Sequence, residues 1–134
     1  MKAYPSMKLS IVTNIILVVC LLFLACEQNL PKEELYGIWQ AVDLTEEDKP
    51  LAINLEEIKL SFKAQTYIFE STLQYKEAGT YRLQANLLLT KDTLKENVLE
   101  KGIEISRLTK DSLFIRMNEQ GKERRLTMIR IMEN

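Results

Sequence analysis

From residue 38 onward, apolar and polar residues alternate in short runs broken by turn residues, and no long segment keeps a helical period. The pattern predicts eight strands, over 38–44, 57–63, 66–73, 77–83, 87–90, 101–107, 112–117 and 123–131. The second is the cleanest. Ile58, Leu60 and Phe62 share one face and Glu57, Lys59, Ser61 and Lys63 the other, the mark of a strand with one dry side. The same alternation puts Trp39 inward, then Tyr67, Phe69 and Leu73, then Gly79, Tyr81 and Leu83. Leu87 and Leu89, Ile103 and Ile105, Leu113, Ile115 and Met117, and Leu126 and Met128 complete the inner set.

The connections read as a charged break over 45–50, a short helix or loop over 51–56, and a tight link over 84–86. A helical turn or long loop follows over 92–99, and then a four-residue hairpin loop over 118–121 in which Gly121 supplies the awkward backbone angle. Eight consecutive strands with short links favour an up-and-down meander. Closing it into a barrel removes the exposed edges of an open sheet.

The first twenty-six residues follow a different rule. Lys2 and Lys8 precede an almost wholly apolar run over 11–24, which ends in Phe23-Leu24-Ala25-Cys26. A positive start, a short apolar run and a small residue before the cut describe a secretory signal. The run is short for a membrane-spanning helix, which needs about 20 apolar residues. Residues 27–34 are polar, interrupted by Pro31, and lack strand alternation, as a tether would. The chain therefore divides into a signal over 1–25, Cys26 with its tether over 26–34, and an all-β domain over 35–134.

Composition removes several chemistries. With no His, neither a Ser-His-Asp nor a Cys-His centre can be assembled. The only Cys residues, Cys20 and Cys26, lie in the N-terminal region, so a zinc site of the usual kind lacks ligands. No metal and no cofactor are expected. The formal charge is −1 and the basic residues are scattered among acids, which disfavours nucleic acid as a partner. Asp43, Glu46, Glu47 and Asp48 offer oxygen ligands, but no glycine-turned loop fixes them around a calcium ion, and a solvated acidic loop is favoured.

Two resemblances add to this. Leu24-Ala25-Cys26 resembles the lipobox of bacterial lipoproteins, with Phe23 where that motif usually has Leu. It implies cleavage before Cys26 and acylation of that residue; an ordinary signal peptide with a Cys at its boundary is the alternative. Leu35-Tyr36-Gly37-Ile38-Trp39 resembles the L-x-G-x-W opening of lipocalin-like domains in small lipoproteins of Gram-negative bacteria. The stretches 78–83, 108–113 and 126–130 resemble later strands of those domains, in the right order. Asp43, on the Trp39 face of the first strand, and the loosely patterned stretch over 92–99 depart from the pattern. The resemblance implies an eight-stranded lipocalin-like barrel whose end is plugged by Trp39, with Arg130 of the last strand packed over the indole.

An eight-stranded barrel can be filled by side chains or hold one small ligand. The inner set is bulky, so a filled core is expected, with any pocket shallow and near the mouth. Asp43, Tyr67, Phe69 and Tyr81 are the candidate mouth or ligand-lining residues. The expected role is a non-enzymatic binding or interaction module, held by acyl chains on Cys26 in the cell envelope, at the outer membrane of a Gram-negative bacterium. It would contact another envelope protein or, as the alternative, carry a small hydrophobic ligand at the mouth.

Overall fold

The computed structural model describes Ile15 and residues 29–132; the signal segment and Cys26 lie outside the described residues. The chain enters through a 3-10 turn, Lys32–Leu35, and continues into β1 (Gly37–Glu46) and the two-residue β2 (Lys49–Pro50). After a second 3-10 turn, Leu55–Glu57, come β3 (Lys59–Phe62), β4 (Thr66–Glu70), β5 (Lys76–Gln84) and β6 (Leu87–Asp92). The last three strands are β7 (Lys101–Leu108), β8 (Ser112–Glu119) and β9 (Lys122–Ile131).

Each barrel strand pairs antiparallel with the next, from β1 through β3 to β9, and β9 returns to β1. Ile38 lies opposite Ile131, and Glu46 opposite Arg124. The sheet is thus a closed eight-stranded antiparallel barrel, with β2 as a short extension of β1. Closure gives each of the eight barrel strands a neighbour on both sides, so among the described residues the only edge strand is the two-residue β2. The interior is filled by Trp39, Leu88, Ile105, Leu113 and Met128, with Phe62, Tyr67, Tyr81, Ile115 and Leu126 around them.

Five details differ from the alternation read off the sequence. In β6 the phase is inverted: Leu88, Thr90 and Asp92 are buried, while Leu87 is exposed and Leu89 half-buried. Three consecutive leucines carry no alternation, so only pairing with Leu83 and Ile103 places Leu88 inward. In β1 the register shifts between Ala41 and Asp43, so that Val42 is an extra residue. This bulge turns Asp43 outward and Leu44 inward, which removes the anomaly of a carboxylate on the Trp39 face.

The β4 strand stops at Glu70, and Leu73 adopts a left-handed φ of 58° and is almost wholly exposed. The charged stretch after Leu44 is a hairpin rather than a break, turning at Glu47 and Asp48 with φ of 49° and 63°. The β8–β9 loop is tighter than four residues: Glu119 already pairs with Lys122 across Gln120 and Gly121.

The barrel has two unlike poles. At one, the turn Lys32–Leu35 seals the bottom with Leu35, which is fully buried. At the other, the loops over 71–75 and 93–100 stand above the rim, and Leu51, Leu55 and Ile58 pack onto the core beside them.

Candidate functional site

The sealed pole is built around Trp39. Its indole Nε1 donates to the Leu35 carbonyl at 2.8 Å, fixing the entering turn against the core. The Arg130 guanidinium lies 4.2 Å from the indole ring centre, a cation–π contact. Its N–H groups also donate to the carbonyls of Tyr36, Glu34 and Lys110, so one side chain ties the entering turn and the β7–β8 turn to the last strand. Gly37 makes room for it: φ is +119°, and a Cβ there would meet Arg130 Nη1 at 2.7 Å.

Tyr81 belongs to this half as well. Its ring packs edge-on against Phe62, its hydroxyl donates to the Lys63 carbonyl at 2.7 Å, and the Lys32 ammonium sits over it. Burial, and then the nearby Tyr36 and Glu33, push its pKa up to about 12. Asp43 lies on the outer wall, in a groove of about 350 Å³ with Thr45, Phe114 and Thr127. Neither Tyr81 nor Asp43 lines the open rim.

Tyr67 and Phe69 do face the open half, together with residues that the alternation contained but did not flag. Glu77 and Asp92 are both buried there, on inward positions of β5 and β6. The Glu77 carboxylate accepts hydrogen bonds from the Tyr67 phenol, the Tyr75 phenol at 3.1 Å and the Lys101 ammonium at 3.1 Å. Phe69 packs edge-on against Tyr75. Asp92 accepts from the Leu94 N–H at 2.8 Å, with the Lys95 ammonium 3.8 Å away. The Thr90 hydroxyl is buried next to Tyr67 but has no partner with hydrogen-bond geometry. The available signal was parity: Glu77 shares its face with Gly79 and Tyr81.

Electrostatics follow from these contacts. Burial pushes the Glu77 carboxyl up, but the hydrogen bonds from Tyr67, Lys101 and Tyr75 together outweigh it and hold the group below its ordinary value of 4.5. Burial, and then the neighbouring Glu77 charge, push the Tyr67 phenol well above its usual range, so it stays protonated as a donor. Burial pulls the Lys101 ammonium down, but the bond and charge of Glu77 outweigh it and raise it.

A carboxyl depressed in the folded state adds stability above its unfolded value that is lost as pH falls through the folded one. Stability should therefore fall below about pH 4.5 partly through Glu77. Urea denaturation of Glu77→Gln at pH 7 and pH 3 checks this. The variant should lose stability at pH 7 and show a smaller drop on acidification. An unchanged acid drop counts against the assignment.

Around this polar interior the two rim loops expose three leucines among polar residues. Leu73 is 95% exposed, Leu99 85% and Leu94 61%, all on the two loops of the open pole. Lys95 reaches across to lie over the Tyr75 ring, so the two loops meet. A cleft of about 780 Å³ opens beside the first of these loops, lined by Glu57, Lys59, Glu70, Leu73 and Tyr75 among others. Among the described residues no cluster of three or more acidic, His or Cys side chains could hold a metal ion.

The closed eight-stranded antiparallel barrel is a lipocalin-like fold. Two solved structures carry that likeness. A lipocalin-like protein from Bacteroides uniformis superposes with a TM-score of 0.53 at 13% identity, covering 73% of this chain and 99% of its own. An uncharacterized protein from Bacteroides eggerthii gives 0.53 at 12% identity, over 72% and 99%. No family model matches the chain and no curated protein matches it.

Proposed function

We propose that this protein is a non-catalytic binding module of the cell envelope, anchored by acyl chains on Cys26, which takes a small, largely apolar molecule at the open rim. The observation that carries the reading is the juxtaposition at that pole. Leu73, Leu94 and Leu99 are exposed where they would otherwise cost solubility, directly above buried hydrogen-bonding side chains. The filled lower half supports capture at the mouth rather than enclosure in a deep cavity. The likeness to lipocalin-like structures supports binding in general and names no ligand.

Hydrophobic-dye fluorescence on the soluble form beginning at residue 27 tests the rim. Uptake is expected, and Leu73→Asp with Leu99→Asp should abolish it without lowering the melting temperature, because both side chains already face water. No uptake, and no bound mass in native mass spectrometry, would leave docking to another envelope protein as the reading in force. The anchor has its own test. Palmitate labelling and membrane partitioning should both disappear in Cys26→Ser.

A further inference from the structure

Charge is arranged unevenly between the interior and the rim. The carboxylates are the buried partners, with side-chain exposures of 2% for Asp92 and 9% for Glu77; the side chains of Lys95 and Lys101 are more than half exposed. Glu77 is well compensated by its three donors. Asp92 is not: it has one backbone N–H, and its cation stands at 3.8 Å, beyond hydrogen-bond distance. A buried carboxylate held this loosely favours any cation that can bond to it directly.

Thr90 points the same way from a separate observation. It lies two residues before Asp92 on the same inward face, is only 3% exposed, and its hydroxyl, beside Tyr67, has no partner with hydrogen-bond geometry among the described residues. A buried hydroxyl without a partner is costly, and it can accept from a donor arriving beside Asp92. The Lys95 ammonium that stands off Asp92 also lies over the Tyr75 ring, so an aromatic face close to that carboxylate already holds a cation.

Resting on the rim-binding reading above, we propose that the open pole is a receptor for an amphipathic primary amine. Its ammonium bonds to the Asp92 carboxylate and the Thr90 hydroxyl beside the Tyr75 ring, and its apolar chain lies along Leu73, Leu94 and Leu99. Lys95 is the resident substitute for that ammonium. It sits on the same aromatic face and the same carboxylate, and yields by swinging into water, where it is already 57% exposed. A fatty carboxylate is the wrong head group, since it would enter beside two buried carboxylates whose own cations face outward.

Isothermal titration of the soluble form with decylamine, decanol and decanoate, each below its aggregation concentration, decides the matter. Decylamine should bind at least about tenfold more tightly than the other two, since only it can make charged bonds to a buried carboxylate. Asp92→Asn should remove that advantage and leave decanol binding in place. Lys95→Met, which keeps the apolar stem and removes the competing charge, should tighten decylamine severalfold. Thr90→Val should raise the melting temperature and weaken decylamine, a pairing that a purely structural hydroxyl would not produce.

Decanoate binding as well as decylamine would overturn the proposal. So would a Lys95→Met protein that binds the amine no more tightly, a result that holds even if Asp92→Asn fails to fold. If none of the three molecules binds, the rim-binding reading itself falls. If decanol binds and the amine has no advantage, only the amine assignment falls.

Discussion

Trp39→Ala should cost about 3–5 kcal/mol, the range for truncating a large buried aromatic side chain. A domain of this size has roughly 5–15 kcal/mol in total, so the variant is expected at the edge of folding. The loss has three parts. The indole is fully buried, its N–H is the donor that fixes the Leu35 carbonyl, and its face carries the Arg130 guanidinium. Arg130→Ala removes the last of these together with three backbone contacts. Urea denaturation followed by circular dichroism, for both single variants and the double, isolates the pairing. The coupling expected for a cation over an aromatic face is about 0.5–2 kcal/mol. Strictly additive losses would show that the two groups merely lie near each other.

The second large effect is Gly79→Ala. A Cβ at this position would lie 1.9 Å from the Lys91 carbonyl oxygen and 2.9 Å from its carbon. The obstacle is backbone, which cannot swing aside as a side chain can, so β5 and β6 must part. Overpacking costs about 1–3 kcal/mol and occasionally more, and this variant should reach the top of that range. Parting the strands also moves Thr90 and Asp92, which are neighbours on β6. Gly102→Ala is the control. The added methyl meets only the ends of Leu87 and Leu89 at 3.4–3.6 Å, in ordinary contact, and the change should stay within about 0.5 kcal/mol. Equal losses at the two positions would refute the backbone argument.

Much of the barrel was legible because most strands obey a strict two-residue period. β3 and β8 show it plainly: Leu60 and Phe62, and Leu113 and Ile115, are all buried. The period fails where a residue is added or the pattern is uniform. Val42 is an inserted residue that no propensity marks, so everything after it in β1 changes face. Leu87, Leu88 and Leu89 are equally apolar, and only the neighbouring strands choose among them. The interior polar group was hidden for another reason. Glu77 and Asp92 look like surface charges in isolation, and become tolerable inside only through Tyr67, Tyr75, Lys101 and a backbone N–H brought from elsewhere. Parity could have flagged Glu77, but nothing in the sequence shows that three donors converge on it.

The return of β9 to β1 also has a kinetic side. Every other neighbouring pair of barrel strands can form by local zipping, since its partner is the next long strand in the chain. The seam is different: Arg130 meets the Tyr36 carbonyl across 94 residues. Closing a loop of that length is slow to be rewarded, so the seam should be the last pairing made. Until then the Trp39 indole lacks its cation and β1 and β9 are both open edges. During synthesis, the C-terminal strand is therefore the piece that turns a sticky open sheet into a closed one. A chain stopped before Lys122 should aggregate rather than accumulate as a smaller barrel.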